Sequence, residues 1–184
     1  MSPSEIYEPA EDSFLMSETL SAEVPKLLIK NPYLKFLEMG CGSGINLQTA
    51  EREGVKKENI IGCDINSQAV ANCKKLGFVC IKSDLFENVS RFDLIVFNPP
   101  YLPLDKNEPK SSGVATTGGK RGNEIIIRFL EQAKSHLNKK GKILIITSSL
   151  SPEVNFAGLG YNAKKISFKK LFFERLSVWE LKAG

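Results

Sequence analysis

The hydrophobic positions of the chain fall into short β-rich runs that are separated by segments with helical spacing. Five such runs are Phe36–Met39, Ile60–Cys63, Phe78–Ile81, Leu94–Phe97 and Ile143–Thr147. Strands that alternate with helices form right-handed βαβ units, in which a parallel sheet carries helices on both faces. The pattern therefore predicts an α/β fold with five parallel strands.

Residues that begin and end helices lie between these runs. A cap at Asn66 and a stop at Gly77 predict a helix between the second and third strands. Further helices are predicted over Asn123–Leu137 and, near the start of the chain, over residues 10–22, where Pro25 limits the helix.

The pattern changes after Thr147. Residues 148–161 have room for only a turn or two of helix, and the two β-like runs that follow, Ala163–Phe168 and Arg175–Leu181, predict an antiparallel hairpin at the sheet edge. Residues 102–121 form a long polar loop, and loops of this length are often functional.

Composition and charge narrow the class of protein. The chain has 184 residues, of which 42% are hydrophobic and 25% charged, so we expect one globular domain over residues 1–184. The net charge of +4 is too small to indicate a nucleic-acid-binding protein by itself. It is unevenly spread, because residues 1–133 carry 15 basic and 18 acidic side chains, whereas residues 134–184 carry 10 and 3.

The four cysteines show no C-x-x-C spacing, and the chain has one histidine, so neither a zinc site nor a disulfide framework is indicated. We expect reduced, buried thiols and no metal. The N-terminus does not read as a signal peptide, and no segment approaches 18 uninterrupted apolar residues. These features predict a cytoplasmic protein without membrane contact.

Candidate ligand-binding residues follow the first three strands. Gly40, Gly42 and Gly44 form a glycine turn between a strand and a helix, where a backbone can approach a ligand closely. Glu38, just before this turn, would repel a pyrophosphate but suit a cationic ligand. Asp64, 20 residues after Gly44, is placed to accept the two hydroxyls of a ribose.

Two further motifs extend this edge of the sheet. Asp84 and Leu85 follow the third strand, where a carboxylate can accept from an adenine amine while a leucine packs on the ring. The tetrad Asn98-Pro99-Pro100-Tyr101 follows the fourth strand. The Asn98 side-chain oxygen and the Pro99 carbonyl are two acceptors for one NH₂ group, and Tyr101 offers an aromatic wall.

These motifs, in this order, resemble those of class I methyltransferases that use S-adenosylmethionine. They are E-M-G-C-G-S-G at 38–44, G-C-D-I-N at 62–66, S-D-L at 83–85 and F-N-P-P-Y at 97–101. The segments Y-E-P-A-E-D-S-F-L at 7–15, T-G-G-K-R-G at 117–122 and E-R-L-S-V-W at 174–179 are similar to the HemK-like release-factor glutamine methyltransferases, in their short archaeal and eukaryotic branch.

The resemblance implies a Rossmann-like fold with a seven-stranded, mainly parallel sheet and an antiparallel C-terminal hairpin strand. It implies S-adenosylmethionine as cofactor, held by residues that we list together: Ser13, Glu38, Gly40, Gly42, Gly44, Asp64, Asp84, Leu85 and Asn98. It further implies that Asn98, Pro99, Pro100 and Tyr101 act on the substrate amide. Residues 1–30 would form the N-terminal pre-motif and helix, and residues 102–121 a loop on the substrate side.

The implied reaction is N5-methylation of a glutamine in the Gly-Gly-Gln loop of a class I peptide-chain release factor. A small zinc-ribbon activator protein is the partner typical of this branch. Two alternatives stay open: methylation of a nucleic-acid amine, adenine N6 or guanine N2, because the same tetrad can hold a base, and a binding module without catalysis. The mixed charges near the tetrad make nucleic acid the less favoured substrate.

Overall fold

The predicted β-rich runs become the strands of one sheet in a computed structural model that describes residues 6–87, 89–103 and 117–184. The strands are β1 (Phe36–Met39), β2 (Ile60–Asp64), β3 (Val79–Lys82), β4 (Phe92–Phe97), β5 (Leu137–Ser148), β6 (Tyr161–Lys170) and β7 (Arg175–Ala183). The helices are α1 (Glu11–Leu28), α2 (Ile45–Arg52), α3 (Ser67–Lys75) and α4 (Glu124–Ala133). Short 3-10 turns lie at Lys57–Asn59 and Lys134–His136.

The sheet has the strand order β3-β2-β1-β4-β5-β7-β6. Strands β1 to β5 pair in parallel, and β7 pairs antiparallel with both β5 and β6. The prediction of a mainly parallel sheet with a C-terminal antiparallel hairpin is therefore confirmed. Because parallel strands end at a common edge, the residues that follow β1, β2, β3 and β4 are brought side by side.

Each face of the sheet has its own hydrophobic core, and alternate residues of a strand point into opposite cores. In β4, Leu94 and Val96 belong to the core beneath α1, α2 and α3, whereas Ile95 and Phe97 belong to the core beneath α4. All four are buried. This two-sided burial explains why the central strands read as nearly continuous apolar runs.

The leading helix is longer than predicted. It spans Glu11–Leu28 and contains Pro25 within its last turns, so the expected limit at residue 22 was wrong. Leu27 and Leu28 pack against the core, and this burial compensates for the single backbone hydrogen bond that a proline removes.

The helix predicted over Asn123–Leu137 is shorter than expected. It ends at Ala133, and Leu137 begins β5, where it pairs with Phe92 of β4. The side chain of Asn123 makes no capping bond, whereas Asn66 caps α3 as predicted by accepting from the backbone N–H of Gln68 at 2.9 Å.

Two other predictions concern loops and membranes. The predicted loop over 102–121 includes residues 104–116, which lie outside the described residues. Residues 149–160 contain turns but no helix. None of the described helices combines the length and hydropathy that a membrane span requires.

Candidate active site

A cavity of about 370 Å³ opens at the carboxyl edge of the parallel strands. Most of the residues singled out in the sequence line it, namely Ser13, Glu38, Gly40, Gly42, Asp64, Asp84, Leu85, Asn98, Pro99, Pro100 and Tyr101. Its size lies within the range of sites for small molecules and cofactors. The predicted site residue that does not line the cavity is Gly44.

The glycine turn forms one wall of the cavity. Gly40, Gly42 and Gly44 have φ angles of 66°, 45° and 84°, in a backbone region that residues other than glycine rarely adopt. A Cβ on Gly44 would lie 3.0 Å from Leu76 Cδ1 and 3.2 Å from Cys73 Sγ. Gly44 therefore serves the close packing of α2 against α3, and its role in cofactor binding stays a prediction.

Glu38 places a buried carboxyl at the end of β1. Its Oε1 accepts from Asn46 Nδ2 at 2.7 Å, while Glu38 Oε2 and Asn46 Oδ1 have no hydrogen-bond partner among the described residues. Burial raises the pKa of Glu38 to about 8, although the Asn46 hydrogen bond opposes the rise. A buried acceptor without a partner is costly, so this pair fits a cationic donor group of a ligand.

Asp64 ends β2 beside the glycine turn. Its Oδ2 accepts the backbone N–H of Gly42 at 3.0 Å, and its Oδ1 accepts that of Asn66 at 2.8 Å. Burial raises the pKa of Asp64, and these backbone hydrogen bonds act in the opposite direction. The carboxylate is thereby oriented, and each oxygen keeps a lone pair that can accept a hydroxyl of the ligand.

The turn after β3 has a strained backbone that a side-chain hydrogen bond stabilises. Leu85 has a φ of 53°, the one positive value of a non-glycine residue within the described ranges, and its side chain is buried. Ser83 Oγ lies 2.8 Å from the Leu85 carbonyl oxygen and holds the turn. Asp84 forms an ion pair with Arg128 of α4 and is partly exposed. Strain of this kind is characteristic of binding sites, where surrounding contacts fix an unusual backbone.

Asp12, at the start of α1, connects the N-terminal segment to the tetrad. Its carboxylate accepts from Tyr7 Oη at 3.1 Å, from Ser13 N at 2.6 Å, from Asn98 Nδ2 at 3.1 Å and from Tyr101 Oη at 3.2 Å. Asp12 itself is buried. Hydrogen bonds to a carboxylate are stronger than those between neutral groups, so this residue is a strong organising centre.

The amide of Asn98 is oriented by this contact. Because its Nδ2 donates to Asp12, its Oδ1 faces the other way, and Oδ1 has no partner among the described residues. Beside it, burial and the charges of Asp12 and Glu174 raise the pKa of Tyr101 well above its usual value, so the phenol stays protonated. The arrangement presents one buried acceptor next to an aromatic ring, which fits an amide or amine N–H donor.

The segment 117–122 packs directly against the tetrad. A Cβ on Gly118 would lie 2.5 Å from the Pro100 carbonyl oxygen, and one on Gly122 would lie 2.5 Å from the Tyr101 carbonyl oxygen. The Gly118 N–H also donates to the Leu102 carbonyl at 3.0 Å. The glycines of this motif are thus needed for close approach of two backbones.

Three thiols meet beneath the glycine turn. The Sγ atoms of Cys41, Cys73 and Cys80 all lie within 4.8 Å of one another, and all three residues are buried and free of disulfides. Hydrogen bonding with Cys73 and Cys80 raises the pKa of Cys41, which favours its neutral thiol form. The spacing of the cysteines along the chain gave no sign of this cluster.

Comparison with known proteins agrees with the geometry. Residues 17–157 match the methyltransferase small domain family. The chain belongs to this family. It is 40% identical to a Methanocaldococcus jannaschii protein provisionally named as a protein N5-glutamine methyltransferase, over 96% of this chain and 93% of that protein. It is 31% identical to human methyltransferase HEMK2, over 78% of this chain and 72% of the human protein.

Among solved structures, the methyltransferase is similar to the E. cuniculi Mtq2–Trm112 complex, which is responsible for methylation of the translation termination factor eRF1. The TM-score is 0.70 at 21% identity, and the match covers 97% of this chain and 98% of that one. At this identity the likeness shows that the fold is shared.

Sequence reasoning missed three residues of the methyltransferase site. Asp12 was seen only as part of the pre-motif, and its contact with Asn98 joins positions 86 apart in the chain. Asn46 is a polar residue on the buried face of α2, which was a usable signal. No sequence signal pointed to Arg128, because its ion pair with Asp84 depends on how α4 is placed on the sheet.

Proposed function

We propose that this methyltransferase transfers a methyl group from S-adenosylmethionine to the side-chain nitrogen of a protein glutamine, in the Gly-Gly-Gln loop of a class I peptide-chain release factor. The observation that carries the proposal is the Asn98 amide. Its Nδ2 is committed to Asp12, so its unpartnered Oδ1 is presented to an incoming N–H donor. Two relatives named as glutamine methyltransferases, one of them a release factor glutamine methyltransferase, support the choice of acceptor.

The cavity fits S-adenosylmethionine group by group. The unpartnered oxygens of Glu38 and Asn46 suit the ammonium group of the methionine part. Asp64, Asp84 and Leu85 also line the cavity. In this proposal Asp64 accepts the ribose hydroxyls, and Asp84 and Leu85 hold the adenine. The cofactor supplies an electrophilic methyl group on a sulfonium centre.

The residues of the chain act on the acceptor by position and electrostatics. A glutamine amide nitrogen is a poor nucleophile because its lone pair is delocalised into the carbonyl. Asn98 Oδ1 and the Pro99 carbonyl would each accept one amide N–H, which increases electron density on the nitrogen and fixes its direction. Tyr101 supplies a flat wall for the amide and, with its raised pKa, remains a hydrogen-bond donor to Asp12.

The direct test is incubation with radiolabelled S-adenosylmethionine and purified release factor. We expect label on the protein, and we expect Gln→Ala in the Gly-Gly-Gln loop to abolish it. Label that survives this change, or label found on an RNA or DNA oligonucleotide with none on protein, would contradict the proposal. Asn98→Ala serves as the inactive control.

We also propose that a small zinc-ribbon activator binds the β3 edge of the sheet. The opposite edge, β6, carries Lys164, Lys165, Lys169 and Lys170, and lysines on an edge strand discourage pairing. The β3 edge instead exposes Val79 by 54%, with Ile65 exposed by 53% nearby. Co-expression with the activator should yield a stable complex for the wild type and none for Val79→Lys, whereas Phe168→Lys on β6 should leave the complex intact.

A further inference from the structure

The tip of the β6–β7 hairpin, residues 170–175, carries two exposed aromatic side chains. Phe172 is 91% exposed and Phe173 is 85% exposed. Their ring centroids lie 4.5 Å apart at an angle of 88°, an edge-to-face pair. Adjacent large apolar side chains that are almost wholly in water are unusual on a protein surface and mark sites of interaction.

The hairpin tip is held in a defined position. The Leu171 N–H donates to the Glu174 carbonyl at 2.7 Å, which closes the turn, and the Leu171 side chain packs against the core. On the other side of the turn, Ser148 Oγ donates to Glu174 Oε1 at 2.5 Å. The two phenyl rings therefore project from an anchored turn, and a partner would meet a surface that is already organised.

The hairpin tip lies on the substrate side of the cavity. Leu171 and Tyr101 pack against the same hydrophobic core. Lys169, just before the tip, forms an ion pair with Glu11 at the start of α1, next to Asp12. The charge of Glu174 also contributes, after burial and Asp12, to the raised pKa of Tyr101. The tip is thus continuous with the rim through which an acceptor glutamine must enter.

We propose that Phe172 and Phe173 are the docking anchor for the protein substrate. The inference rests on the proposed function, because a glutamine carried on a protein loop brings the body of that protein against this rim. The tip is bordered by Lys170 and Arg175, and residues 134–184 carry 10 basic and 3 acidic side chains. We therefore expect the matching face of the release factor to be apolar and bordered by acidic residues. Aromatic anchors of this kind carry a large share of the binding energy in protein interfaces.

The test compares a whole release factor with a short peptide that contains its Gly-Gly-Gln loop. For the double variant Phe172→Ser/Phe173→Ser, we expect KM for the release factor to rise about tenfold or more, with kcat little changed. KM for the peptide should stay at the wild-type value, because the peptide reaches the cavity without touching the tip. Substitution at an exposed tip leaves the core intact, and thermal melting checks this.

A matched control removes two other strongly exposed apolar side chains, far from the tip. Ile29 and Tyr33 are 84% and 69% exposed and precede β1, at the end of the sheet opposite the cavity. The double variant Ile29→Ser/Tyr33→Ser should behave as wild type with both substrates.

Other outcomes would overturn the proposal in distinguishable ways. An unchanged KM for the release factor, with normal turnover by the wild type, removes the docking role and leaves the proposed function standing. A wild-type dimer that the Phe172→Ser/Phe173→Ser variant dissociates would identify the tip as a self-interface instead. Absence of any transfer by the wild type to release factor and peptide would overturn both proposals.

Discussion

The Asn98 Nδ2 group donates a hydrogen bond to Asp12 Oδ2 at 3.1 Å. The bond joins the tetrad that follows β4 to the first turn of α1, and Tyr101 Oη donates to the same carboxylate oxygen. An amide has a donor end and an acceptor end, so the contact decides which end faces the cavity. Asp12 is in this sense a positioning residue for Asn98.

Replacing Asp12 by Asn should lower kcat about 100-fold, the range seen when one oriented hydrogen-bonding group is removed from a reaction centre. The new amide offers one acceptor to several donors, so the Asn98 amide loses its fixed orientation. The dissociation constant of S-adenosylmethionine should stay within about threefold, as checked by calorimetry. Glu8→Gln, at an exposed position in the same segment, is the control and should leave kcat unchanged.

Asn98 and Asp64 should separate transfer from cofactor binding. We expect Asn98→Ala to abolish methyl transfer while S-adenosylmethionine still binds, because Asn98 acts on the acceptor nitrogen. We expect Asp64→Ala to weaken cofactor binding about tenfold or more, because it removes a ribose acceptor and releases the Gly42 N–H. Calorimetry and a transfer assay on each variant test this division of roles, which equal loss of both functions in Asn98→Ala would contradict.

Glu38 should make the stability of the ligand-free protein depend on pH. Burial raises its pKa from 4.5 to about 8, so the folded state holds a proton that the unfolded state loses. The free energy of unfolding should therefore be highest below about pH 4.5, as far as this group is concerned, and fall as pH rises towards 8. Asp64 acts in the same direction, because burial raises its pKa too.

Denaturant unfolding at several pH values between 5 and 8 measures this slope. In Glu38→Gln the slope should be shallower, since the amide does not titrate and keeps a similar shape. Calorimetry in buffers with different ionisation enthalpies provides a second test, because it measures the number of protons released when the cofactor binds. Binding of cationic S-adenosylmethionine at pH 7 should release more protons from the wild type than from Glu38→Gln.

Gly118 should be intolerant of even a single methyl group. Its added Cβ would meet the Gly122 carbonyl oxygen at 2.3 Å and the Pro100 carbonyl oxygen at 2.5 Å, and both are backbone atoms. Gly118→Ala must therefore push the tetrad, at a cost of about 1–3 kcal/mol in the free energy of unfolding and with a fall in kcat. Lys120→Ala, at an exposed position of the same segment, should change neither quantity.

Much of the sheet could be predicted from the sequence because its strands are short, apolar and bounded by clear turns. Leu94–Phe97 lies inside the observed β4, and Arg175–Leu181 lies inside β7. The errors fell mainly at the ends of helices and strands, where tertiary contacts decide. Leu137 has helical spacing, but its pairing with Phe92 draws it into β5.

The residues of the candidate site likewise fall into those that the sequence reveals and those that depend on tertiary contacts. Glu38, Asp64 and Asn98 could be found because each stands where a strand ends, and all three line the cavity. Asp12 could not be found, because its importance lies in contacts between segments that are remote in sequence. The packing of Gly118 on Pro100 is of the same kind, since a glycine motif does not reveal which backbone it approaches.

Three buried polar atoms without partners bear on how much of the protein is present in the cell. They are Glu38 Oε2, Asn46 Oδ1 and Asn98 Oδ1. A ligand that satisfies them stabilises the fold, by about 2.7 kcal/mol at a concentration 100 times its dissociation constant. Proteases remove unfolded chains continuously, so a difference of this size changes abundance several-fold. We therefore expect a cell short of S-adenosylmethionine to hold several-fold less of this enzyme as well as less of its activity.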